Sequence, residues 1–332
     1  MNAPLLEVRD LAKHFPITSG FFGKQVGLIK AVDGISFEIQ AGETLGLVGE
    51  SGCGKTTTGR LILRLIERTA GELRFRLNGR EIDLGALEGE ALRDFRRHIQ
   101  LIFQDPFSSL NPRITCKGLI AEPLRAHGHT GQEIDDRVRQ LADNVRLDIG
   151  FLSRYPHAFS GGQRQRIGIA RALALQPELI ICDEPVTALD VSVQAQVLNL
   201  LMDLQEEHGL TYLFIAHDLS VVEHISHRVA VMYAGRIVEL ADKRAIFDRC
   251  HHPYTRVLMD AVPEPAPGGK KDRALPEGEV ADPSNLPSGC AFHPRCRFCE
   301  DRCKSEVPEL RDLGGGHLVA CHFAETVPLD AK

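Results

Sequence analysis

The segment Gly49-Glu50-Ser51-Gly52-Cys53-Gly54-Lys55-Thr56 matches the spacing G-x-x-x-x-G-K-S/T between an apolar strand and a helix. Each residue type answers a need of polyphosphate chemistry. Gly52 and Gly54 let backbone come close to an anion. The loop amides and the helix N-terminus aim donors at it. Lys55 brings a point charge to the β- and γ-phosphates, Thr56 offers a hydroxyl to Mg²⁺, and Thr57 extends the nucleotide-contacting set. A chance glycine turn followed by Lys-Thr is the bland alternative, and eight matched positions in context outweigh it. Further on, Leu179-Ile180-Ile181-Cys182-Asp183-Glu184 is an apolar strand ending in two carboxylates. Asp183 suits the Mg²⁺ shell, and Glu184 would reach past it to polarise an attacking water. An acidic strand end that merely caps a helix competes only where no phosphate loop is present. Cys182 reads as a small buried apolar residue.

A second glycine-rich turn opening a helix, Ser160-Gly161-Gly162-Gln163, is another anion-binding device. One ATP pocket does not need two. These four residues therefore read as completing a pocket held by another subunit.

The elements that must position these residues follow from hydrophobic period. Strands are expected at Leu5 to Val8, Ile35 to Ile39, Thr44 to Val48, Glu72 to Leu77 and Ile99 to Phe103, with a helix from Lys55 to about Ile66. From 106 to 177 the chain turns helix-rich, with helices at Gln132 to Val145 and about Gly162 to Leu175, and reads as a helical subdomain. The core then resumes with strand Leu179 to Cys182, helix Val191 to Glu206, strand Tyr212 to Ala216, helix Leu219 to Ile225, and strands Val229 to Met232 and Arg236 to Glu239. This alternation predicts an α/β fold on a mostly parallel sheet. The expected division is a domain with ATPase chemistry over 1–262, a Pro/Gly-rich linker over 263–288 and a cysteine-rich module over 289–332.

Composition sets outer limits. A formal net charge of −6 gives no basic field for nucleic acid. No apolar run approaches the roughly 18 residues of a spanning helix, and no signal peptide is read at the N-terminus, so a membrane role would come through partners. Four of nine cysteines are scattered singly and five crowd between Cys290 and Cys321, which points to a reducing compartment and to metal binding.

With the phosphate loop, Ser160–Gln163 and the Asp183-Glu184 strand in this order, residues Leu5 to Val262 resemble the nucleotide-binding domain of ABC transporters. The resemblance implies a P-loop NTPase of ABC type. It makes Gln104 the glutamine that senses Mg²⁺ and water and couples to a membrane subunit. It makes Asp190, in Ala188-Leu189-Asp190, the D-loop aspartate and His217 the switch histidine facing the γ-phosphate. Phe15 takes the place of an adenine-stacking aromatic. Each has a plainer rival: strand end for Gln104, helix cap for His217, core for Phe15. Phe159 stands where leucine is usual before Ser160.

The segments FQDPFSSLNPR (103–113), DEPVTALDVSVQAQ (183–196), IAHDLSVVEHIS (215–226) and HPYTRVLMDAVP (252–263) resemble the ATPase subunits of oligopeptide/dipeptide importers, most of all the F-type one of the pair. That resemblance implies peptide uptake driven from the cytoplasmic face of the membrane. The partners would be a D-type paralogue in a heterodimer, two permease subunits and, indirectly, an extracytoplasmic binding protein, with no nucleic acid. Nickel and glutathione importers share the pattern. Non-transport ABC ATPases usually carry two ATPase units or a coiled-coil insertion, and neither is present. The spacing of Cys290, Cys296, Cys303 and Cys321 resembles the subfamily's iron–sulfur tail, implying a 4Fe–4S cluster. Cys296-x-x-Cys299, with His293 and His322 nearby, keeps zinc open as the alternative, and disulfides remain a third.

Overall fold

The computed structural model describes residues 3–19, 24–106, 109–261 and 281–329. The linker expected at 263–288 lies outside these as far as 280, as do two residues of the loop after Gln104 and the last three of the chain. The chain forms two compact units, one of residues 4–38, 45–85 and 216–332, the other mainly 39–44 and 86–215.

The first unit opens with β1 (Leu6–Ser19) and β2 (Lys24–Ile39), then β3 (Thr44–Val48) and α1 (Lys55–Ile62). The first two strands run far beyond their expected apolar ends, because their outer halves are exposed and held by ladder bonds rather than by burial. Helix α1 stops four residues short of the expected Ile66. Arg64 turns left-handed (φ 54°), and its guanidinium donates 2.7 Å to the Leu84 carbonyl, so the apolar repeat outlives the helix. β4 (Ala70–Leu77) and β5 (Arg80–Asp83) make a hairpin across Asn78-Gly79, both at positive φ. That dipeptide suits a two-residue hairpin loop, a signal the sequence reading passed over. β2, β1, β4 and β5 form a four-stranded sheet, antiparallel across β1-β4-β5.

The second unit contains α2 (Gly89–Phe95), β6 (Ile99–Ile102), α3 (Cys116–Ala126), α4 (Gly131–Asn144), α5 (Gly161–Leu173), β7 (Leu179–Asp183), α6 (Val191–His208) and β8 (Thr211–Ala216). Helices α3, α4 and α5 pack on one another. In α4 the buried Ile134, Val138 and Leu141 recur at three- and four-residue steps, which puts them on one face. β6, β7 and β8 pair in parallel, and every residue of β7 and β8 is buried. They carry apolar runs without alternation because both faces are covered.

The chain then returns to the first unit with α7 (Leu219–Ile225), β9 (Arg228–Tyr233), β10 (Arg236–Asp242), α8 (Lys243–Asp248), α9 (Pro253–Ala261), α10 (Asp301–Ser305), β11 (Arg311–Asp312) and β12 (Leu318–Val319). β9 pairs with β3 in parallel, but β10, β12 and β11 follow antiparallel. The expected parallel pairing holds for β3-β9 and for β6-β7-β8, and the antiparallel edge β10-β12-β11 is what the expectation did not include. Ala234-Gly235, both at positive φ, turns β9 straight back into β10, which no crossover helix could do.

The tail is anchored on β10 by a buried carboxylate. Glu239, wholly buried, accepts from the amides of His251 (2.6 Å) and His252 (3.1 Å) and pairs with His317 at 2.8 Å. His252 beside it is kept neutral, with burial pushing its pKa down to about 4 and its Nδ1 accepting the Tyr254 amide at 3.0 Å.

Candidate functional site

In the first unit β3, buried along its whole length, delivers the chain into the glycine loop. Gly54 caps α1 at φ 109°, and a Cβ there would stand 2.1 Å from the Ala31 carbonyl oxygen, so only glycine fits. Lys55 is 4% exposed. Its Nζ donates to the carbonyls of Gly49 (2.7 Å) and Glu50 (3.0 Å), and Cys53 Sγ lies 3.9 Å away. Burial raises the Cys53 thiol, which keeps it uncharged. Among the described residues Lys55 has no ion-pair partner. A nearly buried ammonium held only by neutral dipoles is costly unless an anion arrives. Ser51 and Gly52 are exposed, Thr56 and Thr57 half-buried.

His217, just after β8, is exposed. Phe15 on β1 is 36% exposed, with Lys13 Nζ 4.9 Å from its ring centroid.

In the second unit the expected carboxylates end β7. Asp183 is 8% exposed. Glu184 holds a left-handed backbone (φ 47°), uncommon outside glycine, with its amide donating 2.9 Å to the Ile215 carbonyl. Its Oε2 accepts from Gln104 Nε2 at 3.0 Å and from Thr187 Oγ1 at 3.2 Å. Two residues singled out separately from the sequence, Gln104 and Glu184, thus touch. Thr187 was not anticipated, although it lies only three residues on.

Ser160 is the N-cap of α5 in a reciprocal capping box. Gln163 N donates to Ser160 Oγ at 3.4 Å, and Ser160 N donates to Gln163 Oε1 at 3.0 Å. Gly162 is buried against α6, where a Cβ would meet Val193 Cγ1 at 2.4 Å. Asp190 caps α6, accepting from Val193 N at 3.0 Å and from the Ser192 hydroxyl at 2.7 Å, and these bonds, the Ser192 one foremost, hold its carboxyl below the usual range. Phe159 is buried, as an apolar stand-in for leucine should be.

All nine cysteines are free thiols. Cys290, Cys296, Cys303 and Cys321 line one small cavity of about 20 Å³ with Phe292 and Phe323, and Cys299 lies outside it. Burial pushes the Cys290 thiol up to about 12 and that of Cys296 to about 11. Among the described residues no three His, Cys, Asp or Glu side chains stand close enough to hold a metal ion. The donor number and type match the iron–sulfur expectation, and the spacing does not, since a cavity of this size takes about one water. The histidines weighed for zinc are engaged with carbonyls, His293 Nδ1 with Cys290 and His322 Nε2 with Glu306, each at 3.0 Å.

Two contacts of the phosphate loop escaped the sequence reading. The Glu50 amide donates to the Tyr254 hydroxyl at 2.8 Å, and the Glu50 carboxylate is forked by Arg295 at 2.8 and 2.9 Å. No local pattern announces partners 204 and 245 positions away.

Residues 32–187 match the family described as ABC transporter, and residues 238–303 the family described as oligopeptide/dipeptide transporter, C-terminal region. The chain is 53% identical over 323 residues to the oligopeptide transport ATP-binding protein AppF of Bacillus subtilis, covering 96% of this chain and 97% of that one. It is 50% identical over 321 residues to a putative peptide import ATP-binding protein of Brucella ovis, covering 96% and 98%. Among solved structures it is similar to a dimeric ATP-binding cassette in a post-hydrolysis state with ADP and Pi. The TM-score there is 0.62 at 28% identity, over 72% of this chain and 99% of that one.

Proposed function

The chain belongs to the ATP-binding subunits of ABC transporters of the oligopeptide/dipeptide type, and on that premise we propose that it hydrolyses ATP to energise the uptake of peptides. The observation that carries this reading is Lys55, a nearly buried cation at a glycine loop with no carboxylate to neutralise it among the described residues. The β- and γ-phosphates are its natural counter-charge. Other amides of the loop and of the first turn of α1 bind the same oxygens, those of Glu50 and Cys53 being already given to Tyr254 Oη and the Glu50 carbonyl. Thr56 and Asp183, with Gln104, supply the hard oxygen ligands that suit Mg²⁺, which when bound neutralises phosphate charge. Glu184 orients the attacking water and takes its proton. The Gln104 and Thr187 donors fix the rotation of that carboxylate. His217 holds the γ-phosphate, and Phe15 stacks on the adenine.

Ser160, Gly161, Gly162 and Gln163 serve ATP held by a second ATPase chain, a D-type paralogue, and Asp190 lies at the junction between the two. The capping box supports this role, because it presents an exposed hydroxyl at the N-terminus of α5. Among the described residues no helix is long and apolar enough to cross a membrane. In this reading, which rests on the family, transport runs through two permease subunits, with this chain peripheral at the cytoplasmic face and a binding protein supplying peptide from outside.

For the tail we propose that Cys290, Cys296, Cys303 and Cys321 ligate a 4Fe–4S cluster, whose part would be to cross-link a segment too small for its own core. What supports this is donor number and type, four thiols lining one cavity, although that cavity is smaller than a cluster; the raised thiols mean that ligation must release protons. Anaerobic purification from membranes tests both proposals on one sample. Two multi-span proteins and a second ATPase are expected to co-purify, with about four iron atoms per tail. Stoichiometric zinc without iron would refute the cluster, and an absence of membrane subunits would refute the assembly.

A further inference from the structure

Glu50 is the second residue of the phosphate loop, and three of its groups are tied. Its carbonyl accepts from Lys55 Nζ at 3.0 Å. Its amide donates to Tyr254 Oη at 2.8 Å. Its carboxylate, 25% exposed, is gripped by both terminal nitrogens of Arg295 at 2.8 and 2.9 Å. Two of these three ties come from the C-terminal part of the chain.

Arg295 is not a surface residue that happens to find a carboxylate. Its side chain is 7% exposed. Its guanidinium lies 5.9 Å from the Tyr233 ring centroid and 5.8 Å from that of Phe292. Tyr233, Tyr254 and Phe292 pack together with centroids 4.6 to 5.4 Å apart. The backbone carrying Arg295 is a short turn between two cysteines, closed by Arg295 N to Phe292 O at 3.0 Å and Cys296 N to His293 O at 3.2 Å. A bidentate Arg–carboxylate pair in such a setting fixes geometry as well as charge.

The charge matters as much as the position. A carboxylate beside a loop that receives a polyanion repels it, and in a partly desolvated site the repulsion is weakly screened. The fork cancels that charge. It also holds Glu50, whose carbonyl helps place the ammonium of Lys55.

We propose that Arg295 is a positioning residue for nucleotide binding, clamping and neutralising Glu50 so that ATP affinity depends on the docked C-terminal segment. This gives the cysteine-bearing tail a task in the ATPase cycle, whatever its metal content. The proposal rests on the reading of Gly49 to Thr57 as the ATP loop.

The test is equilibrium binding of Mg²⁺-ATP to the full-length protein, with KM and kcat measured on the assembled transporter. Arg295→Met is expected to weaken ATP binding about tenfold, raising KM while kcat at saturating ATP stays within about twofold. The same substitution in a Glu50→Gln background is expected to cost less than about threefold, because no carboxylate is left uncompensated. Arg295→Lys, which keeps the charge and loses the fork, should fall between. If Arg295→Met does not fold, the Arg295→Lys and Glu50→Gln cycle carries the test. Unchanged ATP affinity in a folded Arg295→Met protein would overturn the proposal, and so would an equal loss in both backgrounds. Lys55→Ala is the control. If ATP affinity ignores Lys55, the loop reading fails instead.

Discussion

Replacing Glu184 by Gln is expected to leave ATP binding intact and to slow turnover of the assembled transporter roughly 10²–10³-fold. The substitution is nearly isosteric, and a glutamine oxygen can still accept the bonds that Gln104 and Thr187 now give to Oε2. What disappears is the negative charge and the ability to take a proton from water. The backbone at Glu184, left-handed at φ 47° with its amide bonded to the Ile215 carbonyl, does not depend on the side chain. Strain of this kind gathers at functional positions, where surrounding bonds over-determine it. The measurement is ATPase rate beside ATP affinity for both proteins. Undiminished turnover in the Glu184→Gln protein would remove Glu184 from the chemistry.

The second large effect is expected at the Ser160–Gln163 loop. Gly161→Asp should abolish most turnover, by roughly 10²-fold, while this chain's own affinity for ATP stays unchanged. Gly161 is the first residue of α5 and is not among the positive-φ glycines, so a side chain there adds no backbone strain. An acidic residue in the first turn even favours the helix through its dipole. Folding is therefore preserved while the new carboxylate repels the phosphates that the loop would meet on another chain. The separation of binding from turnover is the diagnostic result. A parallel loss of both would mean that the loop serves its own chain's nucleotide, and robust hydrolysis by a monomer would mean the same.

The parts of this site legible in the sequence are those whose chemistry is local. Gly49 to Thr56, Ser160 to Gln163 and Leu179 to Glu184 each pack their function into a few consecutive residues. A strand–loop–helix or strand–end context is all that such motifs need. Gln104 and Glu184, 80 positions apart, were singled out one by one and prove to be bonded. What was not legible depends on tertiary pairing. The outer halves of β1 and β2 are held by ladder bonds that exposed residues do not advertise. The Ala234-Gly235 turn that makes β10 antiparallel lacks the Asn or Asp that would have marked it, whereas Asn78-Gly79 carried the mark and was missed. The tail's strand β12 joins β10 through two residues, too few for any periodic signal. The Arg295–Glu50 fork joins a turn between cysteines to the phosphate loop, and only folding brings them together.

The most direct measurement of the central claim is peptide uptake by the complete transporter in sealed proteoliposomes, with binding protein on the peptide side and Mg²⁺-ATP on the other. Labelled di- and oligopeptides are expected to accumulate only with ATP, and accumulation should vanish in step with ATPase activity when the Glu184→Gln protein replaces the native chain. ATP turnover that moves no peptide of either class, or peptide uptake that persists in the Glu184→Gln complex, would contradict the assignment.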